Sequence, residues 1–174
     1  MWTSMASPVG DLRLIANQHA ITAIEFTGPR DPSASQHSSI SVSAAVSAGR
    51  PVGDRDDTHP PLVDAVRQLD AYFRRDLKEF DLPLEPAGTE FQKRVWAQLR
   101  LIDYGQTASY GEIALRLGMT MAASRAVGMA NGRNPIPIVV PCHRVVGARG
   151  ALTGYAGGMA RKQTLLELEQ DALF

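Results

Sequence analysis

The stretch from Thr27 to Pro61 most limits how this chain can fold. It is rich in Ser, Ala, Pro, Gly and Asp, and its apolar residues are too small and scattered to build much hydrophobic core. We expect it to form a long, mobile loop. The rest of the 174-residue chain is still long enough to bury a core without disulfides or metals, as one ordinary domain or two small ones.

The segments on either side of this loop predict a small α/β domain over residues 1–85. Before the loop, Leu12–Ala16 and Ile21–Phe26 have the composition of β-strands. After it, apolar residues recur at spacings of three and four, which predicts an amphipathic helix over residues 62–77. The residues of this apolar stripe are Leu62, Val66, Leu69, Tyr72 and Phe73.

Residues 86–174 predict a second, mainly α-helical domain. A linker rich in proline and glycine ends at Gly88, and Thr89 can cap the helix that follows. Two short helices over residues 110–118 and 122–130, joined by a tight turn, suggest a helix-turn-helix. The pattern alone is weak evidence, because helical hairpins are common and most of them bind nothing.

The distribution of charge favours an anionic partner for the second domain. The whole chain has 18 basic and 18 acidic residues. Residues 1–85 hold 8 basic and 12 acidic residues, a net charge of −4, whereas residues 86–174 hold 10 and 6, a net charge of +4. This asymmetry modestly strengthens the prediction of DNA binding.

The cysteine count and the hydropathy pattern indicate the compartment. Cys142 is the single cysteine, which excludes an internal disulfide and a four-cysteine zinc site. No apolar run approaches the roughly 18 to 20 residues that span a membrane, and the first ten residues do not resemble a secretory leader. We expect a soluble protein of the reducing cytoplasm, without a bound metal and without a membrane partner.

The segment from Asn134 to Gly147 is the strongest candidate for chemistry. It is apolar and flanked by prolines, and it contains Cys142 followed by His143 and Arg144. A reactive thiol needs a nearby cation or base that favours the thiolate, and these two neighbours are candidates. The alternative is that the cysteine is a small buried hydrophobic residue, which is common for a free cysteine.

A histidine that accepts a thiol proton needs suitable geometry and an orienting partner. Adjacent side chains rarely face each other, so His143 would act on Cys142 through a bridging water or from a loop conformation. Such a histidine usually bonds a carboxylate through its other nitrogen. The acids after the cysteine are Glu167, Glu169 and Asp171, and each could equally lie on a solvated helix surface.

The run Pro-Cys-His-Arg-Val at 141–145 closely resembles the O6-alkylguanine-DNA alkyltransferases, also called methylated-DNA-protein-cysteine methyltransferases. Asn134-Pro135 and Ser-Arg-Ala-Val-Gly at 124–128 add to the likeness, which extends over residues 88–170. The first 85 residues match the family's α/β domain only in outline. The resemblance implies irreversible, stoichiometric transfer of the alkyl group from O6-alkylguanine in DNA, and less efficiently from O4-alkylthymine, to Cys142 without a cofactor.

The resemblance also implies a role for each site residue. Cys142 would be the nucleophile, His143 the base that acts through water, and Glu169 the carboxylate that orients it. Tyr110 would donate to the guanine ring and crowd the target phosphate. Asn134 would brace the turn before the cysteine.

Double-stranded DNA would be bound through its minor groove by a monomer that flips the damaged nucleotide. The family's arginine finger falls at Arg125, on a helix whose small residues Ala123 and Ser124 permit close approach. The pocket around the flipped base would include the carbonyl of Val145 and a flexible wall at Tyr155, Ala156 and Gly157.

Three residues depart from patterns found in some members. Ala156 stands where some members have serine, Asn131 where some have methionine, and Thr153 where some have glycine. The last two departures leave open how large an alkyl group the pocket accepts. The alternative functions to alkyl transfer are those of an alkyltransferase-like lesion sensor, a transcription regulator and a cysteine hydrolase. The presence of Cys142 argues against the sensor, since another residue replaces the cysteine in that group.

Overall fold

A computed structural model describes residues 1–27, 53–153, 155 and 157–171. Most of the predicted loop, residues 28–52, lies outside this range. The C-terminal end of that prediction is wrong, because Pro60 and Pro61 already belong to a helix. Proline is well tolerated in a first helical turn, where its missing N–H has no intrahelical partner.

Three antiparallel strands form the N-terminal sheet in the order β1-β2-β3. They are β1 (Trp2–Met5), β2 (Leu12–Ala16) and β3 (Ile21–Phe26), and the last two have the predicted bounds. Leu14 pairs with Thr3 on one side and with Ile24 on the other. Strand β1 was not predicted from the sequence, because its inward-facing residue is the polar Thr3, whose hydroxyl donates to Asp57 at 2.6 Å.

Helix α1 (Pro60–Phe73) packs on this sheet and buries Leu62, Leu69 and Tyr72. The sequence predicted that it would continue to residue 77. It ends earlier because Arg75 adopts a φ of 66°. The N–H of Arg75 then donates to the carbonyl of Tyr72 at 3.0 Å, which closes the helix terminus.

The described part of the C-terminal half contains four helices and a two-residue parallel ladder. Thr89 caps the first helix through a reciprocal bond with Gln92, and Ser109 caps the second in the same way. No helix in the described ranges is both long enough and apolar enough to cross a membrane. The elements are α2 (Glu90–Leu99), β4 (Ala108–Ser109), α3 (Tyr110–Arg116), α4 (Ser124–Gly132), β5 (Val145–Val146) and α5 (Met159–Asp171).

Helices α3 and α4 stand where the sequence predicts a helix-turn-helix. A 3-10 turn at Met121–Ala123 precedes α4, so the regular helix begins and ends two residues later than predicted. The Ser124 hydroxyl donates back to the Met121 carbonyl at 2.6 Å, which favours the tighter turn. A Cβ on Gly111 would lie 2.3 Å from the end of the Met121 side chain, so α3 passes close to this turn at Gly111.

One continuous hydrophobic core joins the two halves of the chain. It runs from Leu14 on the sheet through Leu99 on α2 to Leu165 on α5. The backbone N–H of Ile24 on β3 donates to the carbonyl of Pro135 at 2.9 Å, so the sheet supports the segment before Cys142. The predicted fold class, an α/β N-terminal part and a mainly α C-terminal part, is confirmed.

Candidate active site

The segment before Cys142 is held by hydrogen bonds within itself. The Asn134 side chain accepts from the N–H of Ile136 at 3.0 Å and donates to the carbonyl of Val140 at 2.8 Å. Cys142 N–H donates to the same carbonyl at 2.8 Å around Pro141, a tight three-residue turn. These bonds fix the backbone that presents the thiol.

Ile138 adopts a φ of 75°, which is a strained conformation for a β-branched residue. It is the central residue of a second three-residue turn, in which the N–H of Val139 donates to the carbonyl of Pro137 at 2.9 Å. Such strain persists only where the surroundings over-determine it. Here the support comes from burial of the Ile138 side chain and from the bonds of Asn134.

Cys142, His143 and Arg144 form a single 3-10 turn in which all three side chains are buried. Successive side chains diverge in a helix with three residues per turn, so His143 points away from its neighbour's thiol. The structure instead directs both His143 and Arg144 to one carboxylate, that of Glu169 on α5.

Glu169 is the acidic residue that reaches the turn. Its Oε1 accepts from His143 Nε2 at 2.7 Å and from Arg144 Nη2 at 2.9 Å. Glu167 instead lies on the exposed face of α5, where Gln163 donates to it at 2.8 Å. The side chain of Asp171 lies outside the described residues.

The surroundings of Glu169 determine its protonation. Burial by itself would raise the pKa of this carboxyl, but the bonds from His143 and Arg144, together with their charges, hold the pKa at about 2. Glu169 is therefore ionised at neutral pH, and the proton shared with His143 resides on Nε2. This tautomer makes Nδ1 the acceptor, and Nδ1 is buried with no partner among the described residues.

Opposing effects act on the Cys142 thiol. Burial raises its pKa above the ordinary value, whereas the neighbouring polar side chains of Asn134 and Tyr155 and the charge of Lys162 act in the opposite direction. Arg144 was one of the two candidates for a residue that lowers this pKa, but its side chain bonds Glu169 and the Ile102 carbonyl. The cation that acts on the thiol is Lys162.

Lys162 was missed by the sequence analysis. It is fully buried on α5, and its Nζ donates to the carbonyls of Val145 at 2.6 Å and Thr153 at 3.1 Å. Burial lowers the pKa of its ammonium group to about 8. The available signal was its spacing, because Lys162, Leu165 and Glu169 are three and four residues apart and share one face of the helix.

Replacing Lys162 with methionine is expected to slow the reaction of Cys142. The variant keeps a long apolar side chain but loses the positive charge that lowers the thiol pKa. The pH midpoint for alkylation of Cys142 by a small haloacetamide should rise, with a rate about tenfold lower at neutral pH. Lys93→Met on the exposed surface of α2 is the control. An unchanged midpoint in Lys162→Met would contradict this account.

Tyr110 and the predicted DNA-binding residues occupy one side of the molecule. Tyr110 begins α3, and its hydroxyl accepts from Thr153 Oγ1 at 3.1 Å. A Cβ on Gly128 of α4 would be 3.6 Å from the Tyr110 ring, so the tyrosine lies against α4. Arg125 is exposed in the first turn of α4, and Ala123 and Ser124 beside it are half-buried.

The predicted wall of the pocket is described in part. Tyr155 is buried, and a Cβ on Gly157 would be 2.8 Å from its ring and 2.9 Å from Phe26 of β3. Only glycine fits there without displacing those rings. Ala156 lies outside the described residues. Asn131 is buried, and its amide donates to the Cys142 carbonyl at 3.3 Å.

Nothing in the described ranges groups three His, Cys, Asp or Glu side chains as a metal ion would require. The site consists of a braced thiol, a buried histidine whose Nδ1 has no partner among the described residues, an ionised carboxylate and two buried cations. This set can transfer a thiol proton to an internal base and leave a nucleophilic thiolate.

Family profiles match almost the whole chain. Residues 1–86 match the ribonuclease-like domain of 6-O-methylguanine DNA methyltransferase, and residues 90–171 match the DNA binding domain of the same family. A methylated-DNA--protein-cysteine methyltransferase from Mycolicibacterium paratuberculosis is 64% identical over 106 residues, which is 61% of this chain. That alignment spans 64% of the relative, which is less than two thirds of its length.

Solved structures extend the similarity to the full fold. A crystal structure of Mycobacterium tuberculosis O6-methylguanine methyltransferase is 43% identical, with a TM-score of 0.78, and covers 98% of this chain and 93% of that one. The M. tuberculosis protein in complex with DNA is 41% identical, with a TM-score of 0.77 and the same coverage. On these profiles and this full-length structural match, the chain belongs to the 6-O-methylguanine DNA methyltransferase family.

Proposed function

We propose that this protein repairs DNA by direct reversal, moving the alkyl group of O6-alkylguanine, and less efficiently that of O4-alkylthymine, irreversibly to Cys142. The observation that carries the proposal is the buried Cys142–Arg144 turn with its histidine bonded to Glu169. The family's shared name and the complex of the M. tuberculosis protein with DNA support it.

The reaction begins with loss of the thiol proton. The Nε2–H of His143 donates to Glu169 and keeps its proton. The thiol proton is therefore accepted by Nδ1, through a bridging water. The carboxylate stabilises the imidazolium that results. Lys162 and the neighbouring polar side chains of Asn134 and Tyr155 favour the thiolate and so counter part of the effect of burial, which leaves the thiol pKa raised.

Displacement at carbon follows. The Cys142 sulfur forms a bond to the alkyl carbon as the bond from that carbon to O6 breaks, and the electron pair stays on the guanine. Tyr110 donates a hydrogen bond to the purine ring as this charge develops, which it can do because burial raises its pKa and keeps it protonated. In sum, the thiol proton ends on guanine and the alkyl group remains as a thioether, so each molecule reacts once.

The target base must leave the duplex before this reaction, which costs a few kcal/mol in unstacking. We propose that α4 lies in the minor groove, that Ala123 and Ser124 permit close approach, and that Arg125 fills the vacated position in the stack. The Val145 carbonyl, Tyr155, Ala156 and Gly157 would form the pocket for the flipped base, with Asn134 bracing the turn behind it.

We further propose that residues 86–174 form the DNA-binding and alkyl-transfer domain and residues 1–85 a supporting α/β domain. The net charge of +4 on the C-terminal half favours contact with phosphates. One protein molecule per lesion is sufficient, so we expect a monomer. The reaction needs a reduced thiol, which the cytoplasm provides.

Intact-protein mass after mixing with a duplex that holds one O6-methylguanine tests the proposal. The expected result is a gain of one methylene unit, in a single stoichiometric burst, with unmodified guanine left in the DNA. Tight binding of the lesion without a mass change would reassign the protein as a damage sensor. Continued turnover would indicate a hydrolase, and no binding would contradict the proposal altogether.

Arg125→Ala separates base flipping from chemistry. We expect repair of the duplex to slow by about tenfold or more, because nothing fills the stack after flipping. Reaction with the free base O6-methylguanine should stay within about twofold, since no duplex has to be opened. Arg149→Ala, outside α4, is the control. Equal loss on both substrates would show that Arg125 does not act in flipping.

A further inference from the structure

We propose that Tyr72, in the N-terminal α/β part of the chain, is a positioning residue of the alkyl-transfer site: its hydroxyl donates to Glu169 and holds that carboxylate against His143. The inference rests on the function proposed above. It gives the N-terminal part a direct hydrogen bond to the carboxylate of the active site, in addition to its packing contacts.

The contact is short and fully enclosed. Tyr72 Oη lies 2.8 Å from Glu169 Oε1, and both residues have no exposed surface. The two residues are 97 positions apart in the chain. The oxygen that receives this bond is the same one that accepts from His143 Nε2 at 2.7 Å.

Each donor constrains the carboxylate differently. Arg144 bonds both oxygens, with Nε 3.0 Å from Oε2 and Nη2 2.9 Å from Oε1, and the N–H of Gly105 reaches Oε2 at 3.4 Å. Tyr72 and His143 both bond Oε1. With Arg144 Nη2, three donors share this oxygen, which has two lone pairs in its plane, so the Tyr72 hydroxyl competes for the lone pairs and helps to determine how the imidazole meets Oε1.

The packing of the Tyr72 ring fixes the direction from which its hydroxyl bonds Glu169. Its ring packs against Phe73 and Phe80 with centroids 5.3 Å away in each case, and against Tyr104 at 6.1 Å. An aromatic side chain with two torsions loses little entropy when held in this way. Burial, followed by the charge of Glu169, raises the pKa of Tyr72 well above its usual range, so the hydroxyl remains a donor.

Every element packed around Glu169 contributes a group to this balance. Tyr72 comes from α1, Gly105 from the connection between α2 and β4, and His143 and Arg144 from the turn that holds Cys142. Lys162 on α5 acts on His143 by its charge. Loss of the Tyr72 bond would leave more negative charge on Oε1, which favours protonated His143 while the carboxylate loses a restraint.

Tyr72→Phe in the full-length chain tests this inference, with Tyr104→Phe as the matched control. Both variants lose one oxygen from the same aromatic cluster, but the buried hydroxyl of Tyr104 has no partner within the described ranges. Single-turnover alkyl transfer would be measured as a function of pH. In parallel, nitrogen NMR would follow the titration and tautomer of the His143 ring.

For Tyr72→Phe we expect a rate about tenfold lower and a His143 titration moved to higher pH, with Tyr104→Phe within about twofold of the unmutated protein. If Tyr72→Phe has the same transfer rate and the same His143 titration as Tyr104→Phe, the inference is overturned, whatever the melting temperatures of the two variants. The NMR result does not depend on alkyl transfer. If the unmutated protein showed no transfer activity, the proposed function would be contradicted. The role of Tyr72 would then be decided by the NMR titration of His143 in Tyr72→Phe and Tyr104→Phe.

Discussion

Cys142→Ser is expected to abolish alkyl transfer and to leave lesion binding intact. A serine hydroxyl in this position has no means of ionising near neutral pH, because the groups that favour the thiolate shift its pKa far less than an alcohol would need. The rate should fall by roughly a thousandfold or more, with no gain in protein mass. Affinity for a duplex holding O6-methylguanine should stay within roughly threefold.

The control for this substitution is the unmutated protein on a duplex without a lesion, which should bind more weakly and gain no mass. Melting curves would establish that the serine variant is folded. A serine variant that still acquires the methyl group would contradict the assignment of Cys142 as the acceptor. Transfer to another residue would be located by peptide mapping.

Glu169→Gln is expected to impair both stability and activity. The amide would leave the buried Arg144 guanidinium without its counter-charge, which typically costs about 3 to 5 kcal/mol in the free energy of unfolding. The glutamine would also no longer stabilise protonated His143, so we expect alkyl transfer to slow by about a hundredfold. The matched control is Glu167→Gln on the exposed face of the same helix, with a change within about 0.5 kcal/mol.

The same pair of variants tests the pH dependence of stability. In the folded protein the pKa of Glu169 is about 2, below its ordinary value of 4.5. A lowered carboxyl pKa contributes stability that is complete above the unfolded value and is lost as the pH falls through 4.5 towards 2. Chemical denaturation across this range should show a shallower acid limb for Glu169→Gln than for Glu167→Gln. Identical slopes would contradict the account of this carboxylate.

Local patterns predicted the helices and the strands β2 and β3, because these elements depend on near neighbours in the sequence. The apolar spacing of α1 and the Thr89 cap of α2 act within one or two helical turns, so they can be read directly from the residues. Strand β1 was missed because its buried residue, Thr3, is polar, and the errors in the predicted helices occurred at their ends. The left-handed conformation of Arg75 ends α1 early, and no residue type signals it as glycine would.

The motif around Cys142 was sufficient to indicate the family and to predict a nucleophile with a histidine beside it. The residues alone left three acids open as partners of His143, and the resemblance selected Glu169. The structure brings Glu169 to His143 and directs Glu167 to solvent. Helix phase alone cannot make that choice, because either face of α5 could be buried until its packing is known.

The sequence by itself therefore determined the fold class, the single thiol and the family to which its motif belongs, all of which rest on composition and short spacings. The tertiary structure alone decided that Arg144 serves Glu169, that Lys162 is the cation acting on the thiol, and that Tyr72 reaches the same carboxylate. These contacts join residues from 20 to 97 positions apart. Such pairs form only when helices and sheet pack together, and local periodicity carries no record of that packing.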